Sequence, residues 1–247
     1  MSIETQADLE ALKRVGRVVR LMLERMQKAV RPGITTAELD RIGGAVMREH
    51  GARSAPRMVY GFPADVLISV NDEAVHGIPG PRRLEAGDLV KLDVTAEKDG
   101  YMADAAVTVA VPPAPEDRRR LVAAARSAFN RALEVARAGN RVSDIGRAVE
   151  TEVTRRGFTV LRDLNGHGIG RTIHEPPTVP NYYDAGMRRK LTEGLVITIE
   201  PLVAERSIGS YEDRDGWTIR TEGGDLSAHH EHTLVITRGA PILLTAA

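Results

Sequence analysis

Apolar residues recur at spacings of three and four from Leu9 through Leu12, Val15, Val19 and Met22 to Met26. This is the period of a helix with one buried face, and it predicts a long first helix that Arg31-Pro32-Gly33 ends. Thr35 followed by Glu38 has the spacing of a capping box, so a second helix starts there, and Gly51 stands where a C-terminal glycine cap belongs. From Val66 to Val111 the pattern changes to short β-type runs. Pro112-Pro113-Ala114-Pro115 then reads as a connector. Two more helices are predicted after it, over about Glu116 to Ala138 and Ser143 to Arg156, the latter stopped by Gly157. A second β-rich stretch fills the rest.

This order occurs twice. Gly33, Leu39 and Gly51 match Gly139, Ile145 and Gly157 at one constant offset, and the run Gly87 to Asp93 matches Gly194 to Glu200 one position further on. Caps and apolar strands can recur by chance. The alternative is a pseudo-duplicated α+β fold, with halves at about 1–111 and 116–247 facing each other across a shared site. We take the chain as one domain over 1–247, with an antiparallel β-sheet core and helices on its outer face.

Two acids stand out against the apolar pattern. Leu89 to Ala96 and Tyr101 to Val109 flank the turn signal Glu97-Lys98-Asp99-Gly100, which predicts a hairpin. In a hairpin with a two-residue loop, Asp93 and Asp104 lie on one face. They are directly opposed if the loop is Lys98-Asp99 and diagonal neighbours if it is Asp99-Gly100. Aspartates are ordinarily solvated surface residues. Here Asp93 interrupts an apolar run, and like charges paired across a ladder in a poorly solvated place need a cation between them. The second half offers matching acids: Glu200, in the apolar run Leu195 to Val203, and Glu231, in Ser227 to Ile236. The three histidines around Glu231 are discounted as a zinc site. On a strand His230 and His232 point away from Glu231 while His229 shares its face, and such imidazoles are more often surface or packing residues.

Composition narrows the chemistry. The 247 residues are 42% hydrophobic, ample for a sizeable core, and Lys plus Arg equals Asp plus Glu at 34 each. That balance gives no support for nucleic-acid binding. Cysteine is absent, so disulfides, thiolate ligands and a cysteine nucleophile are excluded and any metal ligands must be His, Asp or Glu. The polar, acidic first residues lack the features of a signal peptide, and no stretch is long and apolar enough to span a membrane, so a cytoplasmic protein is expected. Gly166-His167-Gly168-Ile169-Gly170 is not a dinucleotide fingerprint, since the third glycine would fall at Arg171. Its glycines fit a backbone that approaches a crowded centre. His174 and His76 are the remaining candidates.

Taken together, Ser69-Val70-Asn71 through His76-Gly77-Ile78-Pro79, Asp93-Val94-Thr95 through Asp104, Gly166 through His174-Glu175-Pro176, Thr198-Ile199-Glu200-Pro201 and Glu231-His232-Thr233 resemble the methionine aminopeptidases of the pita-bread metallopeptidase superfamily. The resemblance covers nearly the whole chain, and its length is similar to the type I branch. It implies that Asp93, Asp104, His167, Glu200 and Glu231 bind two divalent metal ions, among Co, Mn, Fe(II) and Zn. It further implies Glu200 as proton shuttle, His174 as donor to the oxyanion and His76 as the residue that holds the peptide near the scissile nitrogen, with water activated by the ions. Departures concern the side-chain pocket. Ala105 and Ala106 follow Asp104 where hydroxylated residues are frequent, Tyr60 stands where histidine is frequent, and Ile173 replaces an aromatic residue. Val59, Phe62, Leu67 and Ile173, with the retained Trp217, are expected to line the pocket beside His76 and His174.

The implied activity is removal of N-terminal methionine from nascent polypeptides when the second residue is small. A monomer is expected, with no membrane and no specific nucleic acid as partners, and with the ribosome near its exit tunnel as a further contact. A relative acting on Xaa-Pro bonds would share the ligands, but such proteins carry an extra N-terminal domain. A binding protein without activity would have lost ligands, and all five are present.

Overall fold

The computed structural model describes residues 1–246. The first helix, α1 (Gln6–Ala29), starts at a capping box that the periodicity alone did not mark: Thr5 accepts from the Asp8 amide, and the Asp8 carboxylate accepts from the Thr5 amide. The predicted Thr35–Glu38 box opens α2 (Thr36–Glu49). A six-residue helix, α3 (Ala55–Tyr60), lies in a segment without a periodic pattern, capped by Ser54 and ended by Gly61 at φ 76°. It is too short to show a period. After the connector come α4 (Glu116–Val135) and α5 (Val142–Arg155).

The helices cover an 11-stranded sheet in which the paired strands run antiparallel. Its central order is Leu89–Lys98, Tyr101–Ala110, Ser227–Val235, Val196–Ile199 and Gly166–Gly168. α1 packs on the first two of these strands and α4 on the third, while α2 and α5 flank α1 and α4 respectively. Each helix pair seals its own core. Val15, Met22, Leu39 and Leu92 belong to one, and Leu121, Phe129, Ile145 and Ile197 to the other. The expected α+β architecture with outer helices is the one observed.

The offset seen in the sequence recurs in the backbone. Gly33 donates to Leu84 O at 2.7 Å, and Gly139 donates to Leu191 O at 2.9 Å. Gly87 donates to Val111 O and Gly194 to Ile236 O, both at 2.8 Å. All four glycines have positive φ, between 82° and 98°, a conformation that disfavours any residue with a Cβ. Repeated glycines therefore mark repeated turns: Gly33 and Gly139 in the helix-to-helix connections, Gly87 and Gly194 just before the strands Leu89–Lys98 and Val196–Ile199.

The seam between the halves is the pairing of Tyr101–Ala110 with Ser227–Val235. In the hairpin, Lys98 pairs with Tyr101 around Asp99-Gly100, whose φ values of 54° and 81° make a type I′ turn. Asp93 consequently pairs with Ala106 and Thr95 with Asp104, so the two aspartates are diagonal neighbours. Ala106 also pairs with Glu231. Directly paired residues share a face, so Asp93 and Glu231 flank one alanine on the same side of the sheet. The methyl group between two carboxylates leaves the space above it to them.

Candidate metal centre

A cavity of about 570 Å³ opens above that face. Asp93, Asp104, Glu200 and Glu231 line it, with His76, His167, His174 and His229. Buried Asp104, Glu200 and Glu231 form its floor, and Tyr60, 48% exposed, belongs to its rim. The five predicted ligands and both further histidines thus come to one place from sequence positions 76 to 231.

Each acid is fixed by its element. Asp104 is held through its backbone: its amide donates to Thr233 Oγ1 at 2.9 Å, and that hydroxyl donates back to Asp104 O at 2.8 Å. Glu200 follows the strand Val196–Ile199, and Thr198 Oγ1 donates to its Oε1 at 2.7 Å. The same hydroxyl accepts from the His167 amide at 3.0 Å. Thr198 and Thr233 in the sequence motifs therefore serve the residues beside them. His167 Nδ1 lies 2.9 Å from Gly168 O. A carbonyl can only accept, so the proton is on Nδ1 and the Nε2 lone pair is left facing Glu200 Oε1 at 3.5 Å.

Close backbone approach explains the glycines around His167. A Cβ at Gly168 would overlap the carbonyl oxygens of Pro176 and Glu175, and one at Gly166 would press on Thr198 O. The His174 loop is tied down by Glu175, which accepts from the Arg171 and Thr172 amides at 2.7 and 2.9 Å and pairs with the Met1 amine. His76 adopts φ 59°. That region is unfavourable for a residue with a Cβ and is concentrated at functional sites. The next residue, Gly77, fits where a Cβ would overlap Ile68 O, and its amide donates to Ser69 Oγ at 2.9 Å.

The charge balance of the site calls for a cation. Burial, with the charges of Asp104 and Glu200, raises the Asp93 carboxyl well above the ordinary range, and burial with the other three acids does the same to Glu231. Burial pushes Asp104 up to about 6 and Glu200 up to about 8. Among the imidazoles, burial and the nearby His174 lower both His76 and His167 to about 4, so both are neutral at pH 7. Asp104 Oδ1 is buried without a hydrogen-bond partner among the described residues. Four crowded carboxylates with a free imidazole lone pair form an oxygen-rich donor set that fits hard or borderline divalent ions. Two groups of donor atoms lie within 4.8 Å of one another: Asp93 with His229 and Glu231, and Asp104 with His167 and Glu231.

The expected pocket residues divide. Phe62 meets Trp217 edge to face at 5.2 Å, and Leu67 packs with them. Ile173, buried, adds a further apolar wall. Val59 does not line the cavity and is 43% exposed. On α3 it is Pro56 and Tyr60, one helical turn apart, that face the cavity, and Val59 is rotated away from them. Tyr60, noted in the sequence only as a departure, reaches His174 Nδ1 with its hydroxyl at 2.5 Å. Of the three discounted histidines, His230 and His232 do pack, around Phe129. His229 instead faces the acids, at 3.6 Å from Glu231 Oε2. Its place on the Glu231 face was the signal that could have found it.

The model of metallopeptidase family M24 matches residues 10–238. The chain is similar to methionine aminopeptidase 2 of Bacillus subtilis, with 43% identity over 247 residues and 99% of each chain covered. It is 39% identical over 246 residues to a methionine aminopeptidase of Clostridium perfringens, covering 98% of both. Among solved structures, a methionine aminopeptidase from Thermotoga maritima superposes with a TM-score of 0.96 at 33% identity over the whole of both chains. A prolidase from Pyrococcus furiosus, 23% identical, shares the fold with a TM-score of 0.79, and 65% of its chain is covered.

Proposed function

The chain belongs to metallopeptidase family M24, among its methionine aminopeptidases, and from that premise we propose how its own side chains remove an N-terminal methionine. The observation that carries the reading is the set of four carboxylates, drawn from both halves, that line a cavity with an apolar wall. Asp93, Asp104, His167, Glu200 and Glu231 hold two divalent ions. Bound there, the ions supply the Lewis-acid charge that polarises the scissile carbonyl and makes a water nucleophilic near neutral pH.

The chain supplies the rest. Glu200 takes the proton of the attacking water and passes it to the leaving amine. Its Oε1 is steadied by Thr198, which leaves Oε2 for the proton. His174 donates from Nε2 to the oxygen on which charge develops. That role requires Nδ1 to accept, and the Tyr60 hydroxyl at 2.5 Å is placed to donate to it. His76, neutral and held at the cavity wall, positions the peptide beside the scissile nitrogen. The bound ions would supply the place for the free amine of a chain end, so only the first residue is cut.

Phe62, Leu67, Ile173 and Trp217 can hold a flexible thioether by dispersion and burial. An apolar wall of this kind discriminates a methylene-sized change by only about 1–3 kcal/mol. Methionine is therefore preferred, with norleucine the best surrogate, and cleavage requires a small second residue such as Gly, Ala, Ser or Pro. No helix among the described residues is long and apolar enough to cross a membrane. We assign the enzyme to the cytoplasm, as a monomer that meets nascent polypeptides near the ribosomal exit. What supports this setting is the substrate class, since new chains carry the methionine. The test is a panel of Xaa-Gly-Met-Met and Met-Xaa-Met-Met peptides after chelation and metal reconstitution. Equal rates for Met, Ala and Lys at the first position would sink the methionine assignment. Rapid cleavage before a bulky second residue would sink the small-neighbour rule.

A further inference from the structure

His229 is 2% exposed, and neither of its ring nitrogens has a hydrogen-bond partner among the described residues. A neutral imidazole carries one N–H and one lone pair, and a buried ring normally satisfies both. Its backbone is fully engaged, since the amide donates to Thr108 Oγ1 at 2.7 Å and the carbonyl accepts from the same hydroxyl at 2.8 Å. The ring is therefore aimed by a pinned strand and has somewhere to point. Two residues before Glu231, it shares that side chain's face.

We infer that His229 is itself a metal ligand, holding one ion with Asp93 and Glu231 while His167 serves the other with Asp104 and Glu231. The inference rests on the two-ion reading above and adds a second imidazole to it. Three observations support it. The donor atoms of Asp93, His229 and Glu231 converge within 4.8 Å, as do those of Asp104, His167 and Glu231, and Glu231 is common to both groups. The two rings approach the acids alike: His167 Nε2 stands 3.5 Å from Glu200 Oε1, and His229 Nε2 stands 3.6 Å from Glu231 Oε2 and 4.0 Å from Glu200 Oε2. Finally, 3.6 Å is too long for a hydrogen bond but suits two ligands of one ion. Metal–ligand bonds near 2.1 Å in tetrahedral array place ligand atoms about 3.4 Å apart.

An imidazole on each ion makes the pair more alike and less oxygen-rich. Selectivity should shift from Mg and Mn toward Zn, Fe(II) or Co, for which imidazole is a better donor.

Zinc X-ray absorption on the protein loaded with two equivalents tests this directly, because imidazole scattering is counted separately from carboxylate oxygen. The expected result is one imidazole per zinc in the wild type and one per two zincs in His229→Gln. In a chelator competition, His229→Gln should weaken one ion of the pair by more than about 100-fold, the upper end of what losing an outer hydrogen bond costs. His167→Gln should weaken the other ion. The wild-type spectrum needs no variant, so a His229→Gln protein that fails to fold leaves the test standing. A wild type that binds two zincs and cleaves methionyl peptides, yet shows one imidazole per pair, overturns the role of His229 alone. A wild type that binds no zinc overturns the two-ion reading with it.

Discussion

A neutral imidazole has one N–H to give, and at His174 the Tyr60 hydroxyl, 2.5 Å from Nδ1, can donate to that nitrogen and leave the N–H on Nε2. His174→Ala should lower kcat by about 10²–10³-fold with little rise in KM, because the lost hydrogen bond forms mainly in the transition state. A pure KM effect would move His174 to substrate positioning. Tyr60→Phe should cost about 3–10-fold in kcat, the worth of one neutral hydrogen bond, without loss of bound metal. An unchanged kcat would show that Tyr60 does not orient the ring. Val59→Ala, at an exposed position one residue away, should leave kcat, KM and methionine preference unaltered. Asp104→Asn should weaken metal binding and abolish turnover while circular dichroism stays that of the wild type. Retained metal content would overturn its assignment. The contrast between Tyr60 and Val59 marks the limit of what the sequence could say. Apolar character in the right segment pointed to Val59, but which face of a six-residue helix meets the cavity depends on the α3 entry at Ser54 and exit at Gly61, which leave no periodic trace.

At the level of elements, the sequence was most legible where a local rule and a tertiary need coincide. The Thr35–Glu38 box, the glycine stops and the hairpin that puts Asp93 and Asp104 on one face each rest on local sequence, so they were visible in one dimension. His229 was not, because its meaning comes from Asp93 on another strand and Glu200 at the end of a third. Its own strand supplied only a facing rule shared by many packing histidines. The His167 segment carries a prediction at this scale. Gly168→Ala would force a methyl group into the Pro176 and Glu175 carbonyls, so the strand must move away and take the His167 Nε2 with it. We expect a melting temperature several degrees lower, from a loss of about 1–3 kcal/mol, and weaker metal binding even at temperatures where the variant is fully folded. Wild-type metal affinity in a folded Gly168→Ala protein would contradict the account.

For the molecule as a whole, the acid cluster links folding to pH. Native Asp104 and Glu200 hold protons up to about 6 and about 8, whereas in an unfolded chain carboxyls release them near 4. Between those limits the metal-free native state binds more protons than the unfolded one, so these groups lose stability as pH rises. His76 and His167, lowered to about 4, act in the opposite sense below about 6.5, so the carboxyls are read most cleanly above that. Lys91, brought down to about 7 by burial, also opposes them but is present in both samples of a comparison. The rise in melting temperature on adding saturating divalent ion should therefore grow from pH 6.5 to pH 8, as protons cease to compete with it. Melts with ion and with chelator across this range are the measurement, and a gain that shrinks with pH would refute the linkage.

The seam between the halves has a consequence for chain continuity. Asp93 and Asp104 lie before the connector, Glu200 and Glu231 after it, and the two largest cores are each built mainly from one half. The covalent link through residues 112–115 therefore holds none of the donors and little of either core. Cut there, the protein becomes two fragments that meet again along Tyr101–Ala110 and Ser227–Val235, with four carboxylates crowded across the join, and along Glu73–Val75 and Ile219–Thr221. Repulsion should keep the fragments apart in chelator, and divalent ion should bring them together. Cleaved in its connector, the enzyme would be a fragment-complementation reporter whose recovered peptidase activity depends on cation concentration as well as on the concentrations of the two pieces.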